Sequence, residues 1–202
     1  MAGRPRGVDD AVILRAAVEV IGRVGPAGLT LAAVAGEVGL APATLVQRFG
    51  SKRGLLVALA ARSVQDPEAL HERARTGHAS ALGALTAFAV GSMSDMSTPE
   101  RYANHLAFLC LDLTDPELHE HALAVHRATG RVIETLLAEA VSASELRPGT
   151  DTGALARTVV AIIAGAGLAW ALDREGTLPE RLRREIDAVL APHISEGEPW
   201  GN

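Results

Sequence analysis

The residues Thr30–Lys52 carry two short helical patterns separated by a glycine, and they restrict the fold more than any other part of the chain. The first pattern places apolar side chains at helical spacing, at Leu31, Val34 and Val38. Gly39 interrupts it, and Pro42 opens a second pattern whose apolar residues are Leu45 and Phe49. The stretch therefore predicts a helix, a tight turn and a second helix.

The second of these helices has the side chains that a DNA-reading helix needs. Such a helix is short, buries one side on a supporting helix and offers small or hydrogen-bonding groups to the major groove. The residues predicted to contact DNA here are Ala41, Pro42, Ala43, Thr44, Val46, Gln47 and Arg48. Gln47 can pair with adenine and Arg48 with guanine, so both are predicted to read bases. An ordinary helical hairpin has the same spacing, and spacing alone leaves that alternative open.

Further positions match a longer pattern at fixed offsets: Thr30-Leu31, Val34-Ala35, Gly39, Thr44-Leu45, Phe49, Ser51-Lys52 and Leu55. In this pattern the region from Asp9 to Ala60 resembles the DNA-binding domain of TetR-family transcriptional regulators. The resemblance implies an all-α fold, with an N-terminal three-helix helix-turn-helix domain and a C-terminal helical bundle that dimerises through its last two helices.

Two positions depart from the family pattern. Val46 stands where the family usually has a tyrosine that contacts phosphate, and Arg48 stands where a histidine is usual. In addition, Ala41 cannot supply the side-chain cap of the recognition helix, which is typically worth about 1 kcal/mol. We expect these changes to alter sequence preference and affinity without abolishing DNA binding.

Basic residues flank the helical patterns. Arg4 and Arg6 resemble the arginine arms that enter the minor groove beside a docked helix, although a disordered basic terminus has the same composition. Thr30 is predicted to cap the second helix, and the resemblance implies that it also lies near phosphate. Lys52, the only lysine, is predicted to contact phosphate from the next helix N-terminus, the alternative being a solvated surface lysine.

The charge distribution suits a DNA-binding head on an acidic body. The chain has a net charge of -5, but residues 1–55 contain seven basic and four acidic residues, a balance of +3. Cys110 is the only cysteine, which suits a reducing compartment. Asp9 and Asp10 interrupt any signal peptide, and the apolar run Val159–Leu172 is too short to span a bilayer. We expect a cytoplasmic protein that does not enter the membrane.

The remainder of the chain shows repeated helix-start signals and no strand-like alternation. Proline followed by an acid recurs at positions 67, 99, 116 and 179, and capping boxes are predicted at Thr114 with Glu117 and Thr177 with Glu180. Helices are predicted over 66–75, 79–96, 99–112, 116–145, 152–175 and 179–191. We expect a basic arm at 1–8, a helix-turn-helix domain at 9–62, and a ligand-binding and dimerisation domain at 63–202.

The last two predicted helices carry apolar and small residues suited to packing against a second copy of the chain. The predicted dimer interface consists of Leu155, Val159, Ile162, Gly165, Ala169, Leu182, Ile186 and Val189. The alternative is that these stripes complete the core of a single chain. A homodimer would allow two recognition helices to read a palindromic operator in double-stranded DNA.

The resemblance further implies a pocket for a small-molecule effector. Its predicted lining is Phe88, Met93, Met96, Tyr102, His105, Phe108, Cys110, His126 and Trp170, a set that an ordinary helical core would also contain. An enzyme is the rival class, but His119 and His121 do not complete a zinc-binding H-E-x-x-H helix. We therefore expect no catalytic residue, metal or cofactor, and a ligand-responsive repressor, with a dimer that takes no effector as the alternative.

Overall fold

The computed structural model describes residues 8–195, so the predicted arm residues Arg4 and Arg6 lie outside the described residues. Its helices are α1 (Asp10–Gly28), α2 (Leu31–Glu37), α3 (Pro42–Phe49), α4 (Lys52–Ser63), α5 (Asp66–Gly77), α6 (Ala81–Ser92), α7 (Pro99–Asp112), α8 (Pro116–Ser142), α9 (Thr152–Asp173) and α10 (Leu178–Leu190). No strand occurs between residues 8 and 195. The predicted all-α fold is confirmed.

Side-chain caps begin several of these helices where the sequence places them. The Asp9 carboxylate accepts a hydrogen bond from the Ala11 amide at 3.0 Å, and the Thr30 hydroxyl accepts one from the Ala33 amide at 3.0 Å. Thr177 and Glu180 form the predicted reciprocal capping box at the start of α10. These bonds satisfy backbone amides that have no partner within their helix.

The capping box predicted for Thr114 with Glu117 is wrong. The Thr114 hydroxyl donates back to the Leu111 carbonyl at 3.1 Å. Asp115 caps α8 instead, because its Oδ1 atom accepts from the Glu117 amide at 3.0 Å and from the Leu118 amide at 3.3 Å. A carboxylate one residue nearer the helix therefore replaces the hydroxyl as the N-terminal acceptor.

The chain divides into two compact units whose boundaries differ from the predicted domains. Unit 1 contains residues up to Ser63 and, in addition, Glu100–Ala122, whereas unit 2 contains Val64–Pro99 and the chain from Leu123 onward. The sequence placed 100–122 in the C-terminal domain because helical periodicity does not show which core a helix joins. In the structure this segment packs with the N-terminal helices.

The core of unit 1 joins the first four helices to the start of α8. Its fully buried side chains include Ile13, Leu45 and Leu55, and Leu118 from α8 lies in the same cluster with 3% exposure. Phe108 from α7 packs against it, half-buried. The segment 100–122 is therefore part of the hydrophobic core that supports α2 and α3.

Asp112 is a buried carboxylic acid at the end of α7. Its Oδ1 atom has no hydrogen-bond partner among the described residues. Burial, and secondly the negative charge of Asp115, raise the pKa of Asp112 from an ordinary value of 3.8 to about 6. The folded protein thus favours the protonated acid, and this contribution to stability, complete below pH 3.8, is lost as the pH rises through about 6.

We expect Asp112→Asn to stabilise the protein at pH 7.5 and not at pH 4. The amide carries no charge to bury, so the free energy of unfolding should rise by about 1–2 kcal/mol at the higher pH. Denaturant unfolding of wild type and variant at both pH values measures this difference. An equal effect at the two pH values would show that the Asp112 charge is not the cause.

Unit 2 is held together by contacts of α10 with α9 and α6, and of α5 with α6. The buried stripe of α9 contains Leu155, Val159, Ile163, Ala166 and Trp170, as its periodicity predicts. By length and composition alone, the 22 residues of α9 would suffice to cross a membrane. In unit 2 its buried stripe makes it a core helix.

Candidate nucleic-acid interface

A tight turn separates α2 from α3. Gly39 adopts a φ of 66°, a left-handed conformation that glycine tolerates best, and the Leu40 amide returns to the Ala35 carbonyl at 2.9 Å. The turn directs the chain into α3 and lets Leu45 insert fully into the core of unit 1. The predicted helix, turn and helix are confirmed.

One side of α3 faces solvent along its whole length. Pro42 occupies its first turn, and Ala41 provides no side-chain cap, in agreement with the sequence. The exposed residues of α3 that share one side are Pro42, Ala43, Val46 and Gln47. Val46 is 50% exposed and Thr44 is half-buried at the edge. This outward face, defined as those four residues, has the size and chemistry to enter a major groove.

Arg48 is an exposed residue whose guanidinium makes contacts within unit 1. Its Nη1 atom donates to the Asp10 carboxylate at 2.9 Å and to the Val8 carbonyl at 2.5 Å. The Arg48 side chain is 29% exposed. These contacts join α3 to the start of α1, a role that the type of residue does not predict.

Two other predicted phosphate contacts have structural partners. The Lys52 ammonium donates to the Ala27 carbonyl at 3.1 Å, and the Thr30 hydroxyl is the α2 cap described above. An ammonium has three donors, so Lys52 keeps donors for a phosphate while tied to the end of α1. Both residues lie at helix N-termini, where backbone amides favour anions.

An ion-pair cluster joins the start of α4 to the start of α8. Arg53 donates to both oxygens of Asp115, at 2.8 and 2.9 Å, and pairs with Glu117 at 2.9 Å. The side-chain hydrogen bond from Arg53, together with the amides of Leu118 and Glu117, holds the pKa of Asp115 below its usual value. Arg53 and Asp115 were not predicted to be partners because they are far apart in the chain.

A second connection between 100–122 and α1 uses the bend near the end of α1. Pro26 has no amide hydrogen, so it cannot donate to the Gly22 carbonyl one turn earlier. The Asn104 Nδ2 atom donates to this carbonyl instead, at 2.9 Å. Gly25, at the bend, has a φ of 70° and leaves no room for a Cβ beside Asn104. Asn104 therefore replaces a missing backbone donor and fixes α7 on α1.

The segment 100–122 also changes the charge of the unit that carries α3. It adds five carboxylates and one arginine to the positive balance of the first 55 residues. Two of those carboxylates neutralise Arg53. The positive balance of residues 1–55 is therefore not the charge of the folded unit.

The residues of the predicted effector pocket are divided between the two units. Tyr102, His105, Phe108 and Cys110 belong to unit 1, whereas Phe88, Met93, Met96, His126 and Trp170 belong to unit 2. The Cys110 and His126 side chains are exposed, contrary to a lining role. The indole of Trp170 donates to the Gly176 carbonyl at 3.1 Å, which ties α9 to the following loop. No single unit gathers the predicted lining.

Unit 2 has a surface groove that the sequence did not predict. Its volume is about 630 Å³, and it lies between α5, the start of α6 and α8. The Glu145 carboxylate at its edge accepts from the Ser80 hydroxyl at 2.7 Å and from the Ala81 and Leu82 amides at 2.8 and 3.0 Å. Glu145 is thus occupied in capping α6.

Half of the predicted dimer interface belongs to the core of a single chain. Leu155, Val159, Leu182 and Ile186 are at most 5% exposed, so they cannot contact a partner without leaving that core. The more accessible predicted residues are Ile162, Gly165, Ala169 and Val189. An outward stripe of α9, which we define as Ala161, Gly165, Leu168 and Leu172, is exposed along the helix. Of the predicted interface residues, this outward stripe contains Gly165.

Among residues 8–195, no three His, Cys, Asp or Glu side chains are grouped to hold a metal ion. His119 and His126 lie exposed on α8, and His121 is half-buried. Their arrangement provides no candidate catalytic centre.

Two family models match most of the described chain. The model of the bacterial regulatory proteins of the tetR family matches residues 13–59, which include α2 and α3. The model of the tetracyclin repressor-like C-terminal domain matches residues 109–186. No curated protein matches the chain.

Solved structures share the fold at low sequence identity. A TetR-family transcriptional regulator from Rhodococcus sp. is 23% identical, with a TM-score of 0.69 over 92% of this chain and 98% of that one. SmeT, the repressor of the multidrug efflux pump SmeDEF of Stenotrophomonas maltophilia, is 23% identical, with a TM-score of 0.66 over 95% and 93%. A SmeT–triclosan complex is 22% identical, with a TM-score of 0.67 over 96% and 99%.

Proposed function

We propose that this chain, which belongs to the TetR family of bacterial regulatory proteins, is a repressor that binds a palindromic operator as a homodimer and responds to a small molecule. As a member of this family, the chain is a DNA-binding transcriptional regulator and not an enzyme. We infer in addition the homodimer, the operator symmetry, the repression and the effector. A regulator of this kind acts in the cytoplasm.

The outward face of α3 is the observation that carries the proposal. Its side chains are small or hydrogen-bonding, its opposite side is fixed by Leu45, and glycine turns bound it at both ends. A helix placed in this way meets the steric requirements of the major groove. Gln47 is the side chain on this face with the best capacity for direct base recognition.

We expect Gln47→Ala to relax sequence preference at one base pair of each half-site. Loss of a bidentate contact should weaken binding to the preferred duplex by about 1–3 kcal/mol per contact. Selection from random duplex DNA by wild type and variant measures the two consensus sequences. An unchanged consensus would remove Gln47 from the reading face, and no enrichment by wild type would refute DNA recognition itself.

The outward stripe of α9 supports the homodimer. Gly165 is exposed, and a Cβ at this position would meet nothing within 4 Å in the same chain. Leu168 and Leu172 are 46% and 76% exposed, which is unusual for leucines of a helix whose other side is buried. Small and apolar residues on one line allow two helices to approach closely, as in a symmetric interface.

The effector is supported by the family and by the SmeT–triclosan complex, which shows a small molecule with a protein of the same fold. A thermal-shift screen tests this part, because a ligand that binds only the folded protein raises the melting temperature. A compound that also releases the operator would establish the response. A DNA-binding dimer that no compound affects would support the alternative without an effector.

A further inference from the structure

Arg48 does not lie on the reading side of α3. Successive residues of an α-helix turn by about 100°, so Arg48 lies roughly 170° from the centre of the outward face. Gln47, one residue earlier, lies on that face. Gln47 and Arg48 are both exposed, but helical geometry places Arg48 on a different side of α3 from the outward face.

The contacts of Arg48 agree with this placement. One nitrogen binds both the Asp10 carboxylate, at 2.9 Å, and the Val8 carbonyl, at 2.5 Å. Asp10 is the first residue of α1, and Asp9 before it already serves as the helix cap. Arg48 thus connects the recognition helix to the point where the chain enters α1.

The same contact has an electrostatic consequence on DNA. Two neighbouring carboxylates, Asp9 and Asp10, lie beside a helix that must approach a dense row of phosphates. Asp9 is occupied by the Ala11 amide, and Asp10 is balanced by the Arg48 guanidinium. Without Arg48, the Asp10 charge would repel the phosphate backbone.

We propose that Arg48 is a positioning residue that reads no base: it neutralises Asp10 and holds the start of α1 against α3. This inference rests on the proposed DNA-binding function. It replaces the expectation, drawn from residue type alone, that Arg48 pairs with guanine. It also explains how an arginine can stand within a recognition helix without contributing to its sequence preference.

The test compares wild type with Arg48→Ala, Arg48→Lys, Asp10→Asn and the double variant Asp10→Asn with Arg48→Ala. All five proteins are used to select random duplex DNA and are then titrated against the wild-type consensus. We expect one consensus for all of them and an affinity loss of about tenfold for Arg48→Ala. The double variant should recover most of that loss, and Arg48→Lys should lose little, because a lysine still balances Asp10.

Two DNA-binding outcomes would overturn the inference. A consensus altered by Arg48→Ala or Arg48→Lys would make Arg48 a base-reading residue. A gain in affinity of about tenfold for Asp10→Asn, with a steeper salt dependence, would show that Asp10 withholds Arg48 from phosphate.

Hydrogen exchange provides a readout that needs no DNA. If Arg48 holds the start of α1, Arg48→Ala should accelerate amide exchange at Ile13 and Leu14, while Gln47→Ala should not. Equal amide exchange rates at Ile13 and Leu14 in the two variants would show that Arg48 does not hold the start of α1. If wild type enriches no duplex, the proposed function fails, and this exchange comparison still decides the contact.

Discussion

Gly165→Arg should convert the proposed homodimer into monomers and reduce operator affinity by about 100-fold or more. The glycine lies in the middle of the outward stripe of α9, where an arginine would separate two closely packed helices and bury a charge between them. Each unit 1 would then bind its half-site alone, without the increase in affinity that comes from linking two binding units in one dimer. Sedimentation analysis gives the mass, and titration of the selected duplex gives the affinity.

Gly130→Arg is the matched control for this substitution. Gly130 also lies within a helix, α8, and a Cβ at that position would also meet nothing within 4 Å. The control should remain dimeric and bind DNA normally, because it changes helix propensity and charge in the same way. A Gly165→Arg protein that is still dimeric with unchanged affinity would place the interface elsewhere.

Leu118→Ala should destabilise the unit that carries the recognition helix. Leu118 is 3% exposed within the unit 1 cluster, and truncation of such a leucine costs about 2–5 kcal/mol. For a chain of this size the melting temperature should fall by about 5–15 °C. Amide exchange should accelerate in α1 and α4 more than in α9 and α10, because the loss lies in unit 1.

Leu113→Ala supplies the comparison for Leu118→Ala. Leu113 belongs to the same segment of unit 1 but is 63% exposed, so the same truncation should change stability by less than about 0.5 kcal/mol. Equal losses of stability in the two variants would show that residues 100–122 do not stabilise unit 1. Faster amide exchange confined to α9 and α10 would show the same.

Local signals in the sequence predicted the elements well. The helix starts at positions 66, 99, 116 and 152 agree with the structure because proline, acids and capping side chains act within one turn of their helix. The turn at Gly39 and the uncapped start of α3 at Ala41 were predicted for the same reason. These features depend on neighbours in the chain, and the sequence contains them directly.

Long-range partners were not predictable in this way. Periodicity predicts that Leu155 and Val159 are buried, but it does not show whether they pack against the same chain or against a second copy. The pairing of Arg53 with Asp115 likewise depends on how the helices pack. The sequence does show that Pro26 leaves the Gly22 carbonyl without its usual donor, yet it does not identify Asn104 as the replacement.

One site residue could have been assigned better from the sequence. The positions of Arg48 and Gln47 around α3 follow from helical geometry alone, and Leu45 fixes which side is buried. Arg48 lies about 100° from Gln47 and about 60° from Leu45 around the helix, so Arg48 and Gln47 cannot both be centred on one face of α3. Residue type led to the opposite expectation because arginine is common among base-reading side chains.

Titration of the enriched duplex with the wild-type protein, repeated with one half-site scrambled, measures whether the chain binds DNA as a dimer. A dimeric regulator should bind two chains per intact duplex, with half-sites separated by about one helical turn or a multiple of it. The scrambled duplex should bind about 100-fold more weakly, and affinity should fall steeply with salt. One chain per duplex, equal affinity for both duplexes or no dependence on salt would contradict binding of a palindromic operator by a dimer.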